Sequence, residues 1–217
     1  MGRKQRELYI MYITHGKNCQ RFALQSANNL LLVITMVSLS IQQNWLSVGV
    51  QLKDVMLNGS DSKFLWKDSK LPTYKYVMTH RHKIHAQVLA VLNGKTSEHN
   101  KALSLMRIFL RIPGLNTAKA GFCCQLIGGL VGCMDSHNIK MYGLDPKDFV
   151  IDKKLSSPKG IANNQRKVLG YVNLCHDHGT ENLWNNWCNH LSTTSKRWVD
   201  GNHVSEVHYS YLTGEVK

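Results

Sequence analysis

Residues 112–122 read Ile-Pro-Gly-Leu-Asn-Thr-Ala-Lys-Ala-Gly-Phe, and they decide the fold because they join two helical segments through a very tight turn. Pro113 stops the first helix. Glycine and asparagine tolerate positive φ, so we expect Gly114 and Asn116 to supply the left-handed backbone of the turn. Thr117 is expected to contribute to the cap of the second helix.

This turn is also suited to binding a phosphate. Backbone N–H groups at the start of the second helix would point outward together, and the helix dipole favours an anion there. The expected DNA contacts are Gly114, Leu115, Asn116, Thr117 and Lys119. The alternative is an ordinary turn between two helices, because Pro-Gly pairs are common in proteins.

An acidic residue follows the turn after one helix length. Residues 128–139 read Gly-Gly-Leu-Val-Gly-Cys-Met-Asp-Ser-His-Asn-Ile, which places Asp135 after an apolar, glycine-rich approach and before a short helix. A carboxylate at the edge of a groove can stabilise positive charge that develops on a sugar, and it can orient or deprotonate water. The alternative is that Asp135 only caps the helix that begins near Ser136.

Together, the two segments resemble the helix-hairpin-helix DNA glycosylases of the endonuclease III and adenine glycosylase group. Residues 112–116 match the family pattern Leu-Pro-Gly-Val-Gly, and residues 134–137, Met-Asp-Ser-His, match its Val-Asp-Thr-His. The resemblance covers about 40 residues at motif level, roughly from Leu105 to Gly143. It implies a two-lobed helical fold with an interlobe active-site groove, in which a nucleotide is flipped out of DNA.

The resemblance also implies roles for single residues. Asp135 is the expected catalytic carboxylate, and His137 matches a family histidine that supports the active-site loop, with a structural hydrogen-bonding role as the alternative. Asn138 is a further polar candidate for the substrate pocket. Aromatic side chains are candidates for lining that pocket or for core packing: Trp45, Trp66, Tyr74, Trp184, Trp187 and Trp198.

Two positions depart from the family pattern. Asn116 replaces the second glycine of the hairpin, and Ala118 stands where bifunctional relatives carry a nucleophilic lysine. The nearest lysine, Lys119, is displaced by one residue, which rotates a helical side chain by about 100°. Lys119 is therefore a catalytic candidate whose alternative role is a phosphate contact.

The sequence resembles most closely a bacteriophage-associated branch of this superfamily, the α-glutamyl/putrescinyl-thymine pyrophosphorylase-like proteins. Members of that branch are glycosylases of modified bases or are proposed to join amines or amino acids to an activated thymine methyl group. We therefore expect a glycosylase acting on a modified pyrimidine, with a DNA-modifying transferase as the first alternative. A noncatalytic DNA-binding module is the second alternative, since fold alone does not determine chemistry.

The rest of the chain favours an all-α fold. Apolar residues recur at helical spacing over about 18–39, 74–92, 97–112, 117–130, 163–176 and 180–198. We expect one catalytic domain over 1–217, with the hairpin at about 100–130 and the catalytic loop at about 131–138. Asn93-Gly94 and Gly128-Gly129 are expected to end helices, the first through a left-handed glycine cap.

Charge and cysteine content narrow the partners and the compartment. The 27 Lys and Arg residues against 14 Asp and Glu give a net charge of +13, which favours a polyanion such as DNA. No apolar run approaches the roughly 20 residues of a membrane span, so we expect an intracellular monomer without membrane contact, in the host bacterial cytoplasm if the chain is phage-encoded. The six cysteines are expected to be reduced, and Cys123, Cys124 and Cys133 to pack as small hydrophobes. No cofactor or metal site is expected, and an amine or amino acid is a possible co-substrate only in the transferase case.

Overall fold

The computed structural model describes residues 17–43, 45–154, 156–180, 182, 183 and 186. In this part of the chain the regular structure is entirely helical, which confirms the all-α prediction. Two 3-10 helices span Gly59–Asp61 and Pro146–Phe149. The described α-helices are α1 (Lys17–Gln25), α2 (Ala27–Leu39), α3 (Trp45–Asn58), α4 (Lys70–Asn93), α5 (Glu98–Leu110), α6 (Thr117–Gly128), α7 (Ser136–Met141) and α8 (Pro158–His178).

Helix α2 lies at the centre of the fold. Ten of its 13 residues are buried, and it packs against α1, α3, α4 and α6, with α4 as its most extensive neighbour. A helix that is apolar on nearly all sides has to be enclosed by other elements. The C-terminal end of α2 is therefore surrounded by other helices, and this end belongs to the candidate site described below.

The single helix predicted over 18–39 is two helices. Ser26 breaks it with an extended backbone, and its hydroxyl accepts a hydrogen bond from the Asn29 amide at 3.1 Å as the N-cap of α2. Serine is among the preferred N-cap residues, and apolar periodicity continues across such a break because both helices bury one face. The prediction also missed α3, which follows α2 closely.

Predictions of helix ends at glycine had mixed outcomes. Gly129 caps α6 with a φ of +68°, as the Gly128-Gly129 pair predicted. Gly94 has a φ of −65° and an extended backbone, so the predicted left-handed cap of α4 is wrong there. The α4 end is closed instead by the Gly94 amide, which donates to the Val91 carbonyl at 3.2 Å.

The buried apolar side chains form one continuous cluster that runs from Cys19 to Leu183. Tyr171 of α8 and Phe109 of α5 are among the largest side chains buried completely within it. The predicted two lobes and the groove between them stay predictions. None of the described helices combines the length and apolar character that a membrane crossing requires.

Candidate active site

The turn between α5 and α6 is tight, and its conformation differs in one respect from the prediction. Gly114 has a φ of +78°, and a Cβ there would lie 2.9 Å from the Ser69 carbonyl oxygen and overlap the Thr73 hydroxyl. Only glycine leaves the room that Thr73 uses to donate to the Pro113 carbonyl at 2.7 Å. The predicted left-handed Asn116 is wrong, since its φ is −82° and its ψ −179°.

Asn116 is instead the N-cap of α6. Its side-chain oxygen accepts a hydrogen bond from the Lys119 amide at 2.9 Å, which is the standard geometry of an Asn cap. Thr117, expected to help with capping, donates its hydroxyl to the Phe149 carbonyl at 2.6 Å. The first turn of α6 is therefore fastened both to its own cap and to the segment that follows α7.

The five predicted DNA contacts occupy different environments. Gly114 and Asn116 are exposed, whereas the side chains of Leu115 and Thr117 are buried, so these two can meet a phosphate through their backbone only. The turn borders a cavity of about 400 Å³. Its lining consists of hairpin residues and the 149–153 segment: Gly114, Leu115, Asn116, Thr117, Ala118, Phe149, Val150, Ile151 and Lys153.

Lys119 points inward. Its side chain is half-buried, and its ammonium donates to the Ser40 hydroxyl at 2.9 Å and lies 5.6 Å from the centroid of the Phe122 ring. Ser40 is the residue that caps the C-terminal end of α2. The one-residue displacement relative to the family pattern thus turns Lys119 toward the centre of the fold and away from the exposed surface of the turn.

Asp135 directly precedes α7. It is the N-cap of α7, and its carboxylate accepts a hydrogen bond from the Asn138 amide at 2.9 Å. The capping role weighed from the sequence is therefore present. Asp135 is only partly buried, so a capping carboxylate of this kind still has surface available for other contacts.

The loop before Asp135 is held from two helices. The Tyr171 hydroxyl of α8 accepts from the Met134 amide at 2.8 Å and donates to the Gly132 carbonyl at 2.9 Å. The Gln125 side chain of α6 accepts from the Cys133 amide at 3.1 Å. These hydrogen bonds give buried partners to three consecutive residues, Gly132, Cys133 and Met134. They therefore fix the backbone that leads to Asp135.

Lys119 and Asp135 act on the same buried group. Burial raises the pKa of the Cys133 thiol well above its usual range, the Asp135 carboxylate raises it further, and the Lys119 ammonium lowers it. Burial raises the pKa of the Cys123 thiol, and the Lys119 ammonium offsets a smaller part of this increase. The thiols of Cys123 and Cys133 are therefore protonated and pack as small hydrophobes, as predicted.

A second lysine lies beside Lys119. The Lys70 side chain is fully buried, and its ammonium donates to the Leu39 carbonyl at 2.9 Å and lies 4.1 Å from the Trp66 ring centroid. Burial, and next the charge of Lys119, lower the pKa of Lys70 from 10.5 to about 8. Two ammonium groups thus bind neighbouring residues at the negative end of the α2 dipole.

The remaining predicted residues lie close to Asp135. His137 is half-buried in α7. Asn138 has no exposed surface, and its amide donates to the Cys133 carbonyl at 2.8 Å, so the expected direct contact with a substrate does not fit this placement. Asn138 holds the Asp135 loop, and its Oδ1 atom is buried without a hydrogen-bond partner.

Sequence reasoning missed Ser40, Lys70, Gln125 and Tyr171. Their contacts with the site span between 8 and 79 residues of chain, so no local spacing points to them. Lys70 lies four residues before the helix predicted over 74–92 and was not singled out. Of the aromatic candidates, Tyr74 is buried and Trp66 is 43% exposed, whereas the side chains of Trp45, Trp184, Trp187 and Trp198 lie outside the described residues.

Within the described residues, no group of three or more His, Cys, Asp or Glu side chains is arranged to hold a metal ion. Comparisons with protein-family models, with curated proteins and with solved structures gave no match.

Proposed function

We propose that this protein is a DNA-base-acting enzyme that flips a modified pyrimidine and hydrolyses its N-glycosidic bond, with Asp135 as the catalytic carboxylate. The observation that carries the proposal is the partly exposed Asp135 carboxylate at the start of α7, on a loop that Tyr171 and Gln125 hold in place. The segments that contain Asp135 and Lys119 are the ones that resemble the glycosylase motifs. The net charge of +13 and the cavity beside the α5–α6 turn are consistent with a DNA substrate.

In the proposed reaction, the bond between the base and sugar C1′ breaks, and the electron pair leaves with the base. Asp135 stabilises the positive charge that develops on the sugar and takes a proton from the water that attacks C1′. The base leaves with a proton, and an abasic site remains in the DNA. Lys119 has two alternative roles: its ammonium contacts a phosphate of the DNA, or its deprotonated amine attacks C1′ in place of water. Either role requires its hydrogen bond to Ser40 to open.

The second candidate function is the DNA-modifying transferase, which the same motif resemblance implies. In this alternative, an amine or amino acid attacks the activated 5-methylene carbon of a flipped pyrimidine, and the carbon–oxygen bond to pyrophosphate breaks. The glycosidic bond then stays intact.

Mass analysis of DNA after incubation with the protein distinguishes these functions. The purified chain and Asp135→Asn are each incubated with hypermodified and with plain duplex DNA, with and without an added amine or amino acid. We expect free modified base and abasic sites from the parent protein, and a loss of at least about 100-fold in Asp135→Asn. A heavier nucleoside with an intact sugar bond would support the transferase. DNA that neither the parent protein nor Asp135→Asn alters would leave only the noncatalytic module.

Lys119 is tested separately by borohydride reduction during the reaction. A covalent adduct with DNA that is lost in Lys119→Met supports attack by the amine. If the parent protein releases base without forming an adduct, the attacking amine is excluded, and water activated by Asp135 accounts for the reaction.

A further inference from the structure

Trp66 is the large aromatic side chain that the described part of the candidate site presents to solvent. It keeps 43% of its surface exposed although it lies four residues before the buried Lys70, the first residue of α4. Its main chain is rigid, because the carbonyl of Trp66 accepts hydrogen bonds from the amides of Ser69, Lys70 and Leu71 at 3.0–3.2 Å. A rigidly held, exposed indole is a ready-made flat apolar surface.

A buried cation is held against this ring. The Lys70 ammonium is 4.1 Å from the ring centroid, within the range of a cation–π interaction. The same ammonium donates to the Leu39 carbonyl, so the indole is tied through Lys70 to the C-terminal end of α2. Both the orientation of the ring and its distance from α2 are therefore determined by a contact inside the protein.

The ring also adjoins the charged groups of the candidate active site. Lys70 binds Leu39 while Lys119 binds the next residue, Ser40, and consecutive Cα atoms are about 3.8 Å apart. The indole is thus separated from the Lys119 amine by Lys70 and one peptide unit. A DNA strand with a phosphate near Lys119 would therefore have a neighbouring base within reach of the ring.

We propose that Trp66, positioned by Lys70, is the platform on which a nucleobase of the DNA substrate stacks. The proposal rests on the proposed function and adds the means by which the base itself is held. The occupant is a base because every nucleobase has a flat face that stacks on an aromatic ring, and because the exposed Lys63 and Lys67 on either side of Trp66 in the sequence attract its phosphates. Lys70 contributes as a positioning residue, since it is buried and meets the ring rather than the DNA.

The test measures how much the bases contribute to binding, in the full chain carrying Asp135→Asn so that no chemistry occurs. Two single-stranded oligonucleotides of equal length are compared at one salt concentration, one with all its bases and one with three central tetrahydrofuran abasic residues. The ratio of their dissociation constants isolates the base contribution from that of the phosphates. We expect Trp66→Leu to reduce this ratio by about 10-fold and Trp66→Phe to retain most of it.

The matched control is Leu57→Ala, because Leu57 is a large apolar side chain that is 76% exposed on α3. It should leave the ratio unchanged. A ratio that is the same in Trp66→Leu as in the parent, or that falls equally in Leu57→Ala, would overturn the platform. Since binding is read in Asp135→Asn, a failed platform is distinguishable from a failed proposed function, which is read from base release by the parent protein.

Discussion

The Tyr171 hydroxyl accepts a hydrogen bond from the Met134 amide at 2.8 Å, and Met134 is the residue immediately before Asp135. The same hydroxyl donates to the Gly132 carbonyl at 2.9 Å. One phenol thus satisfies two buried backbone groups of the loop that carries the candidate catalytic carboxylate. Burial raises the pKa of the Tyr171 hydroxyl well above its usual value, so the hydroxyl stays protonated.

Tyr171→Phe should therefore destabilise the protein. It leaves the buried Met134 N–H with no partner, which costs about 1–3 kcal/mol before the structure relaxes, and it leaves the Gly132 carbonyl with the weak Cys175 thiol donor at 3.4 Å. We expect the free energy of unfolding, measured by urea titration, to fall by roughly 2 kcal/mol. Tyr76→Phe removes a hydroxyl from a partly exposed ring and serves as the control, with an expected change under about 0.5 kcal/mol.

Gly121→Ala tests how closely the Asp135 loop approaches α6. A Cβ at Gly121 would overlap the Tyr171 hydroxyl and lie 2.7 Å from the Gly132 carbonyl oxygen, so we expect a loss of about 1–3 kcal/mol in thermal or urea unfolding. Gly170→Ala is the matched control in α8, because its Cβ would meet nothing within 4 Å. Alanine is the better helix former there and should stabilise by up to about 1 kcal/mol. Equal effects of the two substitutions would contradict the close approach.

Asp135 has two functions in the proposed enzyme, and two substitutions separate them. Asparagine caps a helix about as well as aspartate, so Asp135→Asn should retain the stability of the parent while base release is lost. Asp135→Ala should lose base release and also about 1 kcal/mol of stability. An Asp135→Asn protein that is as destabilised as Asp135→Ala would show that the charge, and not the cap, holds the loop.

Lys70→Met makes a prediction about pH. The folded pKa of Lys70 is about 8 against 10.5 for the free side chain, so between these values the unfolded chain binds more protons than the folded chain. The contribution of Lys70 to stability should therefore rise as the pH increases from 8 to 10.5. The free energy of unfolding of the parent minus that of Lys70→Met should increase over this window by roughly 1–3 kcal/mol. A difference that stays constant with pH would contradict the burial of a charged Lys70.

DNA binding should depend steeply on salt if phosphates supply most of the attraction. A protein with six to ten phosphate contacts loses about 10³–10⁵ in affinity between 50 and 200 mM salt. Filter binding of plain duplex DNA across this range measures the slope. A slope near zero would show that the charge of +13 belongs to a solvated surface rather than to a DNA interface.

Local patterns predicted the helical class and the ends of helices that depend on nearby residues. Gly129 ends α6, and Asp135 begins α7, because cap geometry is set within four residues. The same locality explains the error at Asn116. Asparagine suits both a left-handed turn and an N-cap, and the close packing of Gly114 against Ser69 and Thr73 assigns the positive φ to the glycine alone.

The neighbourhood of Asp135 was only half predictable. The motif gave Asp135 and Lys119 as candidates, but the direction of the Lys119 side chain depends on Ser40, 79 residues away. Lys70 and Tyr171 also belong to the site through contacts between residues that lie far apart in the sequence. Asn138 was predicted as a pocket residue because it is polar and near Asp135, whereas its side chain is fully buried and its Nδ2 atom donates to the Cys133 carbonyl.

The Tyr171 contact has a consequence for synthesis on the ribosome. Asp135 is synthesised 23 residues before the start of α8, the helix that carries Tyr171, so the Asp135 loop is made before its partner. The Asp135 loop therefore forms without the Tyr171 hydrogen bonds at first. It gains a fixed shape only after α8 has been translated and has packed against it. A nascent chain stalled before residue 158 would contain both glycosylase-like motifs but would lack the Tyr171 hydrogen bonds that hold the Asp135 loop.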